Sequence, residues 1–330
     1  MLRASAGDAK VSPTASPSDQ GQFGDIQMPS RCTFGCRTLS LGEKLGHGSY
    51  GQVFAAVDDS RQAFAVKFNK VDCDAGLQSL ASEFEILSSM RDANVLSAFA
   101  LVGSAPRFAL VLERCDATLS TWLRENPMPK QPASAMVRAR WGFFLQLCCG
   151  LSYVHSKNVI HLDLKPANML MSHKRTAGES SCLSEESTAG ESSCLKLSDF
   201  GLSAILGSSA AVRRPGNSAY TSAYRPWELW QAGSKEVMIS YHCELWALAC
   251  VGYDLLAISG SRYLMVDPAQ MQELGCALPV TQHMAKARLA ARIGYDVTAQ
   301  KLITSCLQAP RSRPSLAAFA RSCKDKLRSL

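Results

Sequence analysis

The stretch 161–168, reading His-Leu-Asp-Leu-Lys-Pro-Ala-Asn, constrains this chain more than any other. It places a carboxylate (Asp163), an ammonium (Lys165) and an amide (Asn168) within eight residues, and Pro166 stops a helix from running through them. Such a composition suits a rigid loop. An Asp that accepts a hydroxyl proton, a Lys that holds transferred phosphate charge and an Asn that ligates Mg²⁺ are the groups phosphoryl transfer asks of a protein.

The rest of the chain can bury a core large enough to hold such a loop still. It has 330 residues, 47% hydrophobic and 19% charged, which describes one large or two modest packed domains. The net charge of +7 is spread among acids with no run of five or six like charges, so no nucleic-acid partner is expected. Thirteen cysteines follow no signal peptide, which points to a reducing compartment, cytoplasm or nucleus. Cys32 and Cys36 lack a second Cys or His pair at metal-ligand spacing, so free thiols are expected over a zinc site. The most apolar long run, residues 245–258, is interrupted by Asp254 and is too short to span a bilayer; a buried core helix is expected, and no membrane partner.

Residues 1–37, rich in Ser, Pro, Gly, Asp and Gln without sustained period, read as a disordered tail. From Leu41 the pattern changes. Gly46, Gly48 and Gly51 form a Gly-x-Gly-x-x-Gly, followed by an extended run over 52–57, a turn at 58–61 and a second extended run over 63–68. A dinucleotide-binding domain would follow such glycines with a helix; here the sequence predicts a hairpin. Leu80, Phe84 and Leu87 recur at helical spacing, with Glu83 about 60° from the centre of that stripe and Glu85 about 140° away. Glu83 is thus expected to face inward, where a carboxylate needs a cation.

Residues 108–112 suit a buried strand that turns polar at Glu113, Arg114, Cys115 and Asp116. Residues 141–155 read as a buried helix leading into the loop at 161–168. A strand over 195–198 then ends in Asp199-Phe200-Gly201. Between them, Thr-Ala-Gly-Glu-Ser-Ser-Cys-Leu occurs at 176–183 and again at 188–195, a local duplication expected to leave a surface loop.

Taken in order, these motifs resemble those of eukaryotic protein kinases, over roughly residues 41–323. The resemblance implies an α+β, two-lobed fold within residues 38–325: a small β-rich N-lobe (38–113) and a larger, mainly helical C-lobe (114–325) carrying the insertion at about 172–194. It implies ATP and Mg²⁺ as cofactors. Asp163 and Lys165 would be catalytic, and Asn168 and Asp199 would hold the metal. Leu45, Gly46, Gly48, Gly51, Val53, Ala65, Lys67, Glu83, Glu113, Cys115 and Leu170 would bind ATP, with Lys67 paired to Glu83, adenine on the backbone of Glu113 and Cys115, and Leu112 as gatekeeper.

Lys165 and Thr221 match the serine/threonine form, which implies protein substrates bearing Ser or Thr hydroxyls, and the chain is expected to act as a monomer. Arg313 would pair with Glu228 at the end of an activation segment over 199–228. Three positions depart from the family pattern. Leu162 replaces an Arg, Trp227 stands where Pro is usual, and Glu244 replaces the Asp that holds the catalytic-loop amides. Leu162 makes the loop similar to that of the Mos kinases, whereas Tyr224-Arg225-Pro226 is similar to the cyclin-dependent group, and the two hints conflict. Two functional readings follow, an active serine/threonine kinase and a pseudokinase that binds without transferring; every group the chemistry needs is present, which favours the enzyme.

Overall fold

A computed structural model describes residues 31–47, 51–69, 74–104, 107–172, 193–208, 210–258, 263–264 and 278–330. Gly48 and nearly all of the duplicated segment lie outside these residues. The first part of the chain forms β1 (Arg31–Phe34), β2 (Arg37–His47), β3 (Gly51–Asp58) and β4 (Ala63–Asn69), then helix α1 (Asp74–Ser88), then β5 (Ala98–Ser104) and β6 (Arg107–Glu113). The six strands make one antiparallel sheet in the order β1-β2-β3-β4-β6-β5.

Period-two alternation sorts its side chains onto two faces. Phe64, Val66 and Phe68 of β4 and Ala109 and Val111 of β6 join Leu39 and Ala56 in one buried cluster, while Ala65, Leu110 and Leu112 belong to the main core on the other face. The tail expected over residues 1–37 is corrected at its end. Arg31–Phe34 pairs with Arg37–Ser40 as a hairpin turning at Gly35, whose φ of 55° lies in the left-handed region. The physical reason is a short alternation, Cys32 and Phe34 against Leu39 and Leu41, all four packing on the first cluster. Phe34 meets the Phe64 ring edge-on at 5.6 Å, and Arg37 lies over that ring while donating to Asp58 at 2.7 Å.

The β3–β4 hairpin forms as expected. Its turn is organised by Asp58, whose Oδ1 accepts from the backbone N–H groups of Ser60 (2.9 Å) and Gln62 (2.8 Å).

The remainder is mainly helical. β7 (Ala117–Thr118) leads into α2 (Leu119–Glu125), capped by the Thr118 hydroxyl, and then α3 (Ser134–Ser156). β8 (Val159–Ile160) precedes the loop at 161–168; β9 (Met169–Ser172) and β10 (Cys194–Leu197) follow it and pair antiparallel, so the insertion between them leaves their register intact. β11 (Ala204–Ile205) pairs with β8, and β12 (Ala211–Pro215) leads to α4 (Trp227–Ala232).

β13 (Glu236–Ser240), α5 (Tyr241–Leu256), α6 (Leu278–Arg292), α7 (Val297–Cys306) and α8 (Leu316–Ser329) complete eight α-helices among the described residues. α5 is the buried helix expected from the apolar run and is almost wholly enclosed, while α3 packs against α8, α5 and β10. Asp296 caps α7 through the Ala299 N–H and also accepts from the Trp141 indole at 2.9 Å, which ties α7 to α3. Among the described residues no helix is long and apolar enough to cross a membrane.

Candidate active site

One carboxylate from α1 and one from the helical part converge on Lys67. Period two turns Lys67 to the face of β4 away from Phe68, and Glu83 lies on the inward stripe of α1, 1% exposed, whereas Glu85 is exposed. The Lys67 Nζ donates to Glu83 Oε2 at 2.6 Å and to Asp199 Oδ1 at 2.7 Å. Burial works to lower the Lys67 ammonium, but the two carboxylates outweigh it and hold the lysine above its ordinary value. Burial likewise works to raise Asp199, and the Lys67 charge outweighs it, holding that carboxyl below the usual range. Glu83, the most enclosed of the three, is raised by burial in spite of its lysine.

Asp199 has φ 61°, and the next two residues turn back towards α1, where the Ser79 hydroxyl donates to the Gly201 carbonyl. A Cβ on Gly201 would lie 2.5 Å from Ser79 Oγ, so a side chain here would displace the Ser79 hydroxyl from the Gly201 carbonyl.

The loop at 161–168 carries the second cluster. Asp163 Oδ2 meets Lys165 Nζ at 2.7 Å and accepts from Asn168 Nδ2 at 2.9 Å. Its Oδ1 accepts both the hydroxyl (2.8 Å) and the backbone N–H (2.9 Å) of Thr221, and that hydroxyl in turn accepts from Lys165 at 2.8 Å. His161 braces the loop from behind, its Nε2 at 2.9 Å from the Ser198 carbonyl and its ring against Phe200, next to Asp199.

The departure at Glu244 is accommodated by geometry. The longer side chain still reaches the loop: Glu244 Oε1 accepts from the N–H groups of His161 (2.6 Å) and Leu162 (3.0 Å). Its extra methylene brings Oε2 to His155 Nε2 at 2.5 Å. His155, at the end of α3, is a supporting residue the sequence reading missed; its separation from Glu244 in the chain left no local signal.

Leu45, Val53 and Leu170 are half-buried against the main core, to which Ala65, Leu112 and Cys115 also belong. Gly46 and Gly51 differ in kind: a Cβ on Gly46 would meet open space, whereas one on Gly51 would lie 2.0 Å from the Phe68 carbonyl oxygen. Gly51 is therefore required by the neighbouring strand itself. The Glu113 carboxylate is turned to Lys196 at 3.2 Å, and the Glu113 N–H donates to the Ser97 carbonyl at 2.9 Å. Arg114 Nη1 donates to the Cys115 carbonyl at 2.6 Å, and burial pushes the Cys115 thiol up to about 12.

The segment after Asp199 is held by its own backbone. β12 pairs with β13 over five residues, from Ala211 opposite Ser240 to Pro215 opposite Glu236. Arg214 donates to the Leu202 carbonyl at 2.7 Å, and Arg225 donates to the carbonyls of Asn217, Ala219 and Tyr220. Glu228 and Arg313 form the expected pair, bidentate at 2.8 Å for both bonds.

Lys67 of the sheet, the inward Glu83 of α1 and Asp199 thus form one ion-paired cluster, and Asp163, Lys165, Asn168 and Thr221 form a second. The family model for the protein kinase domain matches residues 39–324, most of the chain. The chain belongs to the protein kinase family, and with it come the α+β two-lobed fold, the phosphotransferase class and that family's general use of ATP and Mg²⁺.

Proposed function

We propose that the protein is a serine/threonine kinase that moves the γ-phosphoryl group of ATP to a Ser or Thr hydroxyl of a protein substrate. The observation that carries this reading is the joint contact of Thr221 with Asp163 and Lys165, a small aliphatic hydroxyl already seated between the two side chains that would handle the acceptor. Asp163 accepts the proton of the substrate hydroxyl as its oxygen bonds to phosphorus; the bond to the β–γ bridging oxygen breaks and ADP leaves with that electron pair. Lys165 steadies the charge on the transferred group, and Lys67, held by Glu83, takes the α/β-phosphates. The donor set fits Mg²⁺, which takes oxygen ligands: the Asp199 carboxylate, and the amide oxygen of Asn168, whose Nδ2 is held by the Asp163 carbonyl and carboxylate. When bound, the ion would neutralise phosphate charge.

The same reading places adenine on the backbone of Glu113 and Cys115 between Leu45, Val53, Ala65 and Leu170, and takes 38–113 and 114–325 as the two lobes. It also includes turnover without activation-segment phosphate. Leu162 is fully buried and offers no cation, while the β12–β13 ladder and the bonds of Arg214 and Arg225 already order the segment. The full chain incubated with ATP·Mg and degenerate peptides, whose only acceptor is Ser, Thr or Tyr, tests activity and acceptor together. Transfer to Ser and Thr peptides is expected. ATP binding with no transfer to any peptide or to the chain itself would replace the enzyme by a binding module.

A further inference from the structure

Tyr220 stands where an aromatic residue is costly on two counts. Its φ of 60° is in the left-handed region, which bulky side chains rarely adopt. Its hydroxyl is buried and has no hydrogen-bond partner among the described residues. Burial, with the Glu244 carboxylate next, pushes the phenol well above its ordinary value, so the group stays neutral. Two costs at one residue persist only where the surrounding structure gains from it.

What surrounds Tyr220 shows where the gain lies. The ring is 3% exposed and joins the main core with Leu162, Tyr224 and Cys243. The backbone is tied on both sides: the Tyr220 N–H donates to the Leu162 carbonyl at 2.8 Å, and its carbonyl accepts from Arg225 Nη2 at 2.9 Å. Leu162 is itself left-handed, at φ 67°, so two strained residues support each other across one bond. The next residue is Thr221, whose N–H and hydroxyl both reach Asp163. No charge is available at position 162 to hold this turn, and the Leu162 side chain and the Tyr220 ring are both buried in the main core.

We propose that Tyr220 is a positioning residue: its buried ring anchors the turn that seats Thr221 against Asp163 and Lys165, a task for which Leu162 offers no cation. The proposal rests on the kinase reading for its catalytic consequence, and on the geometry alone for its structural one. It separates two properties of the residue. A ring that merely fills space at a strained position is dispensable, and glycine, free at positive φ, would then be neutral or better. An anchoring ring is required whatever the backbone cost.

Tyr220→Phe, Tyr220→Gly and Tyr220→Asn in the full chain decide between these, Asn tolerating the left-handed backbone without a ring. Tyr220→Phe removes only the unpartnered hydroxyl and is expected to keep kcat within about two-fold. Tyr220→Gly and Tyr220→Asn are expected to lose kcat by about thirty-fold or more with the KM for ATP within about three-fold, the signature of a misplaced acceptor site and an intact nucleotide site. Amide hydrogen exchange at Thr221 should quicken in both while exchange in α5 stays unchanged. Glycine or asparagine variants with near-normal kcat and unchanged Thr221 protection would overturn the proposal. So would failure of both to fold, which would make Tyr220 a residue of the whole core. If the unaltered chain transfers no phosphate, the kinase reading fails, and the exchange measurement still decides whether the ring anchors the turn.

Discussion

Glu244 and His155 meet at 2.5 Å beneath the loop that carries Asp163, a carboxylate with no solvent contact facing a histidine on a different helix. One carboxylate thereby serves three donors, the His155 ring and the N–H groups of His161 and Leu162. The second of those amides belongs to a left-handed residue, so Glu244 holds a strained turn in place.

Glu244→Ala would leave two buried amides without acceptors, at about 1–3 kcal/mol each. A loss of several kcal/mol in urea unfolding is the expected result, and His155→Ala should lose less, since the two amides keep their acceptor. Glu244→Asp should lie between Glu244→Ala and the unaltered chain, because the shorter side chain cannot serve the amides and His155 at once. Equal stability of Glu244→Ala and the parent would show that water satisfies those amides.

Lys67→Met, Asp163→Asn and Asp199→Asn should each lower peptide phosphorylation by about a hundred-fold or more, the scale on which charged catalytic groups act. Their binding behaviour should differ. Asp163→Asn should retain ATP, whereas Asp199→Asn should lose mainly the Mg²⁺-dependent part of its affinity, read by calorimetry with and without the ion.

Because β12 and β13 order the activation segment through main-chain bonds, phosphatase treatment and a Ser208→Ala, Ser209→Ala, Ser218→Ala triple variant should both leave turnover within a few-fold of the untreated enzyme. A hundred-fold loss in either, with ATP binding intact, would show that a phosphate completes the segment.

Thiol labelling at neutral pH should follow burial. Cys36 is exposed at the first hairpin, whereas burial pushes the thiols of Cys115, Cys243 and Cys306 up to about 12. Thiolate is the reacting species, so iodoacetamide should modify Cys36 and leave those three, read by peptide mapping of the native chain. Early loss of Cys115 would show that the segment at 113–116 opens.

The sequence made the polar constellation legible because its members are chemically singular. Asp163, Lys165 and Asn168 sit within one short loop, Lys67 follows a glycine hairpin, and helical periodicity alone separated Glu83 from Glu85. What it hid depends on the third dimension. The β12–β13 ladder joins segments of ordinary composition, and nothing local in Tyr220 announces a left-handed backbone. Glu244 showed only as a replacement for the family's Asp; its second oxygen finds His155, almost ninety residues earlier in the chain. The β1–β2 hairpin was obscured by the polar composition ahead of it, which outweighed an alternation only a few residues long.

That hairpin sets where the molecule can be cut. Composition invites a start at residue 38, but β1 is the outer strand on its side of the sheet and Phe34 shields the ring of Phe64. A chain begun at residue 38 would bare the N–H and C=O groups along β2 together with an apolar ring, an open seam that another copy could zip onto. Oligomers of such a truncated chain would report a damaged edge, and say nothing about how the intact protein assembles.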